Sequence, residues 1–176
     1  MTPANIPRSR ETKKQSLWAR LVWGKRPVWT VFRLLLLIVT CLFVFKFVLC
    51  PIRVSGRSME PTFYDGQIGV INLLAYHGKA PLRADIIAFR QAPDPHILIK
   101  RVIGLPGEQI AFHSGVVSIN GNPIDEPYLT SLGAWEWPEE TLGDNVYFVT
   151  GDNRTASQQY RVQRGEILGK VHIRRR

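Results

Sequence analysis

The chain has few of the residues that build disulfide scaffolds, metal centres or nucleotide sites. It contains two cysteines among 176 residues, too few for a disulfide framework or a four-ligand zinc site. No glycine-rich phosphate motif, G-x-x-x-x-G-K-[ST] or G-x-G-x-x-G, occurs in it. We therefore expect no metal and no cofactor, since the four histidines are scattered with no pair four residues apart: His77, His96, His113 and His172.

Acidic residues are almost absent from the beginning of the chain. Residues 1–30 hold seven Lys or Arg and one acid, whereas residues 51–176 hold fourteen Lys or Arg and thirteen acids. The net charge of +9 and the pI of about 10.0 therefore come from a short segment, and the larger part is nearly neutral. This distribution argues against nucleic-acid binding, and we expect no nucleic-acid partner.

A long apolar run follows the basic segment. Leu34–Phe45 has no charged residue, and Val28–Leu49 supplies 22 mostly apolar residues, enough to cross the hydrocarbon of a bilayer. Arg33 and Lys46 can extend their charges toward the headgroups. Residues 28–50 are predicted to form a transmembrane anchor that Pro51 ends, with interface aromatics at its start: Trp18, Trp23 and Trp29.

Two other interpretations of the apolar run are less favourable. A core helix that is apolar on all sides would need burial on all sides, and a cleavable signal peptide would need a small-residue site that the following residues lack. Because basic residues near a span stay in the cytoplasm, residues 1–27 are predicted to be cytoplasmic. Residues 51–176 are then an extracytoplasmic domain of a single-pass protein of the plasma (inner) membrane.

The segment from Pro51 onward is predicted to be mainly β, a sandwich or barrel-like domain of antiparallel sheets behind the anchor, because short apolar runs alternate with turn residues. Asn120–Gly121 is typical of a type I′ hairpin turn. Leu129–Leu142 has no clear period and is predicted to be an extended loop. The predicted strands are Gln67–Asn72, Asp85–Arg90, His96–Ile103, Gln109–Phe112, Val116–Ile119 and Asn145–Thr150.

Three short blocks are the candidates for chemistry. They are S-G-R-S-M-E-P-T at 55–62, I-K-R-V-I-G-L-P-G-E at 99–108 and G-D-N-R-T-A-S-Q-Q-Y-R at 151–161. Each block alone is compatible with an ordinary turn or strand. In this order, behind an apolar anchor, they resemble the bacterial type I signal peptidases, membrane-anchored serine proteases that remove signal peptides from exported proteins.

The resemblance implies a catalytic dyad. The serine of S-M-x-P, here Ser58, is the family's nucleophile, and the lysine before R-V-I-G, here Lys100, is its general base. A serine hydroxyl needs an adjacent base, and a lysine with an ordinary pKa of about 10.4 serves only when its surroundings disfavour the ammonium. In a strand Lys100 shares an apolar face with Leu98 and Val102; the alternative is a solvent-facing lysine on an edge strand.

The resemblance also implies supporting residues. The backbone N–H of the nucleophile helps to bind the oxyanion, and the position two residues earlier, a serine in some members, is Gly56 here. Ser157 is expected to bond the lysine amine, while Asp152 and Arg154 hold the loop near the dyad. Many members carry an aspartate where this chain has Gln159, so an Asp–Arg ion pair is missing and a hydrogen bond from Gln159 is its expected substitute.

Signal peptides end in small residues before the cut, and an extended substrate could add as a strand beside the catalytic segments. The partners implied are preprotein signal peptides and the lipid bilayer, where Trp135 and Trp137 could enter the interface. Candidate walls of the substrate pockets, which could equally be core residues, are Ile52, Val54, Met59, Phe63 and Ile99.

Alternative functions remain open at this point. A specialised maturation peptidase for a conjugation or secretion system, or one of an organelle inner membrane, would use the same dyad. A self-cleaving repressor also pairs Ser with Lys, although the anchor and the lack of a DNA-binding region argue against it. The non-enzymatic alternative is an anchored binding module, which the presence of both Ser58 and Lys100 disfavours.

Overall fold

A computed structural model describes residues 27–173 of the chain. The basic segment, with Trp18 and Trp23, lies outside these residues, as do residues 174–176. The chain divides into two compact units, residues 1–43 and residues 44–176, and each is described by itself.

The predicted anchor is a single helix, α1, spanning Pro27–Phe47. Val28–Phe47 has a mean hydropathy of 2.5 and none of it is buried against the protein, so by length and composition this helix could cross a membrane. Pro51 does not end the helix as predicted. The last helical hydrogen bond runs from the Val48 amide to the Val44 carbonyl (2.9 Å), and Pro51 lies in the strand that follows.

The rest of the described chain is built of antiparallel strands. A seven-stranded sheet has the order β1-β2-β11-β3-β4-β9-β10, and a four-stranded sheet has the order β7-β6-β5-β8. Two short 3-10 helices, Arg154–Ala156 and Arg164–Glu166, flank β10. The strands are β1 Leu49–Arg53, β2 Ile68–Asn72, β3 Ile86–Phe89, β4 Leu98–Gly104, β5 Gln109–His113, β6 Val116–Ile119, β7 Asn122–Pro123, β8 Trp137–Thr141, β9 Val146–Thr150, β10 Tyr160–Gln163 and β11 Ile167–Ile173.

All six strands expected from the sequence are present as β2, β3, β4, β5, β6 and β9. The burial pattern along a strand depends on what covers its two faces. The β5 side chains alternate between exposed and buried, as expected for a strand with one solvated face. β4 and β9 are buried on both faces, because Val102 and Val149 belong to one buried cluster while Ile103 and Phe148 belong to another. Asn120 and Gly121 have φ of +51° and +77°, which confirms the I′-type turn.

The expectation of a loop over Leu129–Leu142 is wrong for its second half. Trp137–Thr141 forms β8, an edge strand that pairs with β5. Its sequence, W-P-E-E-T, contains a proline and two acids, which are residues that strands tolerate mainly at a sheet edge. Apolar alternation therefore gave no signal there.

Three buried clusters hold the strands together, and each draws on a different set of elements. Trp135 and Trp137 are half-buried against the cluster of the four-stranded sheet. Trp137 lies edge-on to Phe148 at 5.2 Å, and Trp135 lies 6.5 Å from Phe112 between ring centroids. Their contacts within residues 27–173 are thus those of core aromatics.

Candidate active site

Ser58 lies in the turn region between β1 and β2. Its carbonyl oxygen accepts a hydrogen bond from the Asn153 amide at 3.0 Å, and its side chain is half-buried. The Ser58 amide has no hydrogen-bond partner among residues 27–173. It is therefore available to stabilise an oxyanion at the position where a serine nucleophile would need it.

Lys100 lies in the middle of β4, between β3 and β9. The edge-strand interpretation is wrong, because Lys100 pairs with Ile87 of β3 and is only 5% exposed. Burial lowers the pKa of the Lys100 amine from 10.5 to about 8, and the charge of Asp152 opposes this shift. A lysine in this environment is neutral in a substantial fraction of molecules near pH 8, as a general base requires.

The segment after β9 brings these two regions together. A Cβ on Gly151 would lie 2.1 Å from the Ser58 carbonyl oxygen and 2.5 Å from the Ser157 hydroxyl. Only a glycine permits this contact, because real Cβ atoms do not approach backbone oxygens so closely. The next residue, Asp152, acts electrostatically on Lys100. Gly151–Asn153 thus contacts the backbone of Ser58 and places a charge near Lys100.

Asp152 is held by a buried ion pair. The Arg101 guanidinium donates from Nε to Oδ1 at 2.8 Å and from Nη2 to Oδ2 at 2.5 Å, and the Thr62 hydroxyl also donates to Oδ2. Asp152 is 1% exposed and Arg101 is stacked over Tyr128, 3.9 Å from its centroid. This bidentate geometry links β4 to the segment after β9 and to the turn that follows Ser58.

A second buried ion pair involves the same segment after β9. Arg154 donates from Nη2 to Glu126 at 2.5 Å and from Nε to the Gly151 carbonyl at 3.2 Å. Its side chain is fully buried. Tyr128 donates to the same Glu126 oxygen, and burial, followed by this hydrogen bond, raises the pKa of the Tyr128 phenol.

A family-wide sequence profile described as "Signal peptidase, peptidase S26" matches residues 27–175. The chain belongs to this family. "Signal peptidase I V" of Bacillus subtilis is 37% identical over 119 residues, covering 60% of this chain and 70% of that protein. "Signal peptidase I" of Bacillus caldolyticus is 36% identical over 146 residues, covering 73% and 80%.

A relative that spans nearly the whole chain is "Probable signal peptidase I-2" of Synechocystis sp., 31% identical over 184 residues and covering 97% of this chain and 80% of that protein. A solved structure of a signal peptidase I from Enterococcus faecalis V583 matches 52% of this chain and 97% of its own, at 31% identity and a TM-score of 0.45. The profile and these curated relatives confirm the predicted family, and the chain is a serine peptidase of the signal peptidase type.

Two predicted supporting residues of this signal peptidase have other hydrogen bonds in the structure. The Ser157 hydroxyl accepts from the Gly151 amide at 2.8 Å and donates to the Gln158 carbonyl at 3.1 Å; no bond to Lys100 is formed within the described residues. The Gly56 amide donates to the Asp65 carboxylate at 2.8 Å. The Gly56 amide is thus occupied, and φ of +93° there favours glycine.

The expected substitute for the missing Asp–Arg pair does not form. The Gln159 side chain makes no hydrogen bond with the described part of the chain, and Arg161 instead pairs with Glu140 of β8 at 3.5 Å. Arg161 also lies over Trp137, 5.5 Å from its centroid. In this signal peptidase Arg161 therefore joins β10 to β8 through a partly exposed contact.

The five predicted pocket residues come together in one cluster. Val54, Met59 and Phe63 are buried and belong to the core, each at most 5% exposed. Ile52 and Ile99 are only partly buried, so they are the two whose surfaces a substrate could reach. Ordinary packing thus explains three of the five, and a pocket role for Ile52 and Ile99 stays a prediction.

A cleft of about 830 Å³ opens between Pro61–Gln67 and Pro127–Thr130, with Ile173 at its edge. Neither Ser58 nor Lys100 lines it, although Thr62 connects it to Asp152. The predicted catalytic residues therefore lie outside this cleft. Within residues 27–173, no group of three His, Cys, Asp or Glu side chains could hold a metal ion.

The side chains that bind Asp152 and Arg154 were not predicted from the sequence; they are Arg101 and Thr62 on Asp152, and Glu126 on Arg154. Arg101 follows Lys100 directly, and adjacent strand residues face opposite sides of a sheet. The sequence therefore placed Arg101 on the face away from Lys100 and gave no reason to include it in the site. Thr62 lies at the end of the first block, and its polar side chain so near Ser58 was the available signal. Glu126 lies in none of the three blocks, and nothing in the sequence pointed to it.

Proposed function

We propose that this chain is a membrane-anchored endopeptidase that cleaves N-terminal signal peptides from exported preproteins after small-x-small sites, with Ser58 as nucleophile and Lys100 as general base. The observation that carries the proposal is the buried Lys100 of β4, whose pKa is lowered to about 8, in a strand joined to the Ser58 turn through Asp152 and Asn153. Family membership supports the same activity.

The proposed reaction begins with the neutral Lys100 amine accepting the proton of the Ser58 hydroxyl as its oxygen attacks the scissile carbonyl carbon. The Ser58 amide donates to the oxyanion that forms. Collapse of the tetrahedral intermediate breaks the C–N bond, and the Lys100 ammonium donates its proton to the leaving amine. Water, deprotonated by the neutral Lys100, then attacks the ester carbonyl carbon. The Lys100 ammonium returns this proton to the Ser58 oxygen as the acyl C–O bond breaks, and the signal peptide leaves as a carboxylic acid.

No hydrogen bond joins the Ser58 hydroxyl to the Lys100 amine within the described residues. Catalytic hydrogen bonds are often long in unliganded sites and shorten when substrate binds. The proposed substrate is an extended strand, and two strands are at the edges of the seven-stranded sheet, β1 and β10. β1 carries Ile52, one of the two partly buried pocket candidates, which supports strand addition there.

Anchoring supports a substrate presented at a lipid surface. Ser58 lies eleven residues beyond Phe47, the last residue of α1. Eleven residues span at most about 40 Å, so the nucleophile stays near the membrane in which α1 is embedded. The proposed orientation puts the basic residues 1–27 in the cytoplasm and the domain from Pro51 outside it, because positive flanks remain on the cytoplasmic side.

The test is cleavage of a precursor with an Ala-x-Ala site by the full chain in detergent micelles or lipid vesicles. Ser58→Ala and Lys100→Ala are each expected to abolish cleavage, and mass spectrometry should locate the wild-type cut after the second alanine. Ser131→Ala and Lys79→Ala are matched controls, since both side chains are exposed and far in sequence from the dyad.

Cleavage that survives either dyad substitution would refute the mechanism. A folded wild type that ignores this precursor but cleaves a dedicated substrate would favour the specialised maturation peptidase. A folded wild type that binds precursors and cleaves none would favour the anchored binding module.

A further inference from the structure

Tyr160 is the first residue of β10 and the residue whose ring lies closest to the proposed base among the contacts of Lys100. The Lys100 Nζ lies 6.0 Å from the centroid of the Tyr160 ring. The ring packs edge-on against Phe89, with centroids 5.5 Å apart and planes at 62°. The phenol donates to the Gln158 side chain at 3.0 Å. The Tyr160 ring therefore has a packing contact with Phe89 and a hydrogen bond at its hydroxyl.

Tyr160 has no part in the role expected of Asp152 and Arg154, which is to hold the loop near the dyad. It follows Gln159, at the point where the chain departs from the pattern of many family members. The ring is half-buried and packs against the cluster that contains Phe89, Val102 and Val149. Phe89 and Val102 belong to β3 and β4, which hold the backbone around Lys100.

An aromatic ring beside an amine has two opposing effects. It excludes water, which disfavours the ammonium, and its π face attracts a cation, which favours the ammonium. At 6.0 Å from the centroid the attraction is at the limit of its useful range. Exclusion of water therefore prevails, which agrees with the 5% exposure of Lys100.

Few charged groups face Lys100 from the elements around it. β3 contributes only apolar side chains, Ile86–Phe89. The segment after β9 contributes Asp152, whose charge favours the ammonium but is already paired with Arg101. β10 contributes the neutral Tyr160 ring, while Arg161 pairs with Glu140 instead.

We propose that Tyr160 is a positioning residue that covers the Lys100 amine and keeps water from it, so that the amine is held as a neutral base. The catalytic consequence rests on the proposed function, whereas the covering of Lys100 does not. The two parts can therefore be tested separately, one by spectroscopy on Lys100 and the other by kinetics.

The first experiment measures the Lys100 pKa directly. The full chain in micelles, labelled with 13Cε-lysine and carrying Ser58→Ala to prevent self-digestion, is titrated by NMR, with Lys100→Arg to assign the resonance. Tyr160→Ala is expected to raise the pKa of Lys100 by about one unit or more, because water reaches the amine. Tyr160→Phe keeps the ring and should leave the value unchanged.

The second experiment measures kcat/KM against pH for the same Tyr160 substitutions with Ser58 intact. Tyr160→Ala should reduce kcat/KM about tenfold at pH 7, because the neutral fraction of Lys100 falls tenfold for each unit of pKa. Near pH 10 the deficit should largely disappear. A purely structural defect would lower the rate equally at every pH, so the recovery distinguishes the two roles.

Tyr160→Leu keeps an apolar side chain without the ring and provides a second variant if Tyr160→Ala does not fold. It should show a smaller shift in the same direction. An unchanged Lys100 pKa in folded Tyr160→Ala or Tyr160→Leu overturns the inference. A shifted pKa without any change in the pH–rate profile would retain the covering role of Tyr160 and instead refute Lys100 as the base.

Discussion

The Asn153 amide donates a hydrogen bond of 3.0 Å to the carbonyl oxygen of Ser58. This bond attaches the segment after β9 to the proposed nucleophile through the backbone, so it depends on the path of the chain rather than on a side chain. Gly151, two residues earlier, lies against the same carbonyl. Small movements of this segment will therefore move Ser58 itself.

Gly151→Ala should reduce kcat/KM by about 100-fold, the cost expected when a reacting group is displaced by about 1 Å. The added Cβ would lie 2.1 Å from the Ser58 carbonyl oxygen, and the backbone must shift to relieve the clash. Overpacking should also lower the free energy of unfolding by about 1–3 kcal/mol. The measurements are precursor cleavage and urea unfolding.

Gly165→Ala is the matched control, because a Cβ there meets nothing within 4 Å. It should leave cleavage unchanged and alter stability by less than about 1 kcal/mol. Equal activity of Gly151→Ala and the wild type would show that Ser58 is not positioned through this contact.

The kcat/KM of the wild-type protein should rise with pH and level off near pH 8. The pKa of the Lys100 amine is lowered to about 8, and only the neutral amine accepts a proton. Below that value kcat/KM should fall about tenfold per pH unit, and above it the rate should level off. The measurement is a pH–rate profile with a precursor that has no titrating group at the cleavage site; a limb with the opposite slope would contradict a lysine base.

Lys100→Met should abolish cleavage and yet stabilise the folded domain at pH 7. The folded state disfavours the ammonium, since burial lowers the pKa of Lys100 from 10.5 to about 8, whereas the unfolded chain keeps the proton. This cost to the wild type is fully present below about pH 8 and disappears as the pH rises through 10.5. An apolar side chain removes it at every pH.

The expected gain is about 1–3 kcal/mol at pH 7, and it should shrink as unfolding is measured at increasing pH between 8 and 10.5. Met is close to Lys in length and flexible enough to fill the same space. A gain that does not depend on pH would show that packing, rather than the buried amine, limits stability.

Asp152→Asn should destabilise the domain by about 3–5 kcal/mol, because Arg101 is left buried without its carboxylate partner. Arg101 is 8% exposed and has both of its bidentate bonds to Asp152. The measurement is the free energy of unfolding in urea, and cleavage should be lost as the link between β4 and the loop fails.

Glu60→Gln is the comparison for this ion pair. It breaks the pair between Arg57 and Glu60, in which Arg57 is 75% exposed, and should change stability by less than about 1 kcal/mol. If both substitutions cost the same, the Arg101–Asp152 pair contributes no more than a surface contact.

Local patterns in the sequence were sufficient for much of the fold. The apolar run over α1, the six strands with apolar alternation or apolar runs, and the Asn120–Gly121 turn were all predicted, because each depends on properties of neighbouring residues. The helix end and β8 were not. Pro51 and the acidic W-P-E-E-T segment are acceptable in strands only because β1 and β8 are edges, and edge position is a property of the assembled sheet.

The candidate site divides in the same way. Ser58 and Lys100 were identifiable from three short blocks because the residue types and their order are specific to one family of peptidases. Their environment was only partly identifiable. The apolar strand face of Lys100 was predicted, but its central place in the sheet was not. The two buried ion pairs, Arg101–Asp152 and Glu126–Arg154, were not predicted either, since they join residues 51 and 28 positions apart. Tyr160 and Lys100 are 60 residues apart and meet only because β10 and β4 both pair with β9. The chemistry of the site therefore follows from residue type, while the pKa that makes it usable follows from packing, because desolvation depends on everything that surrounds the amine.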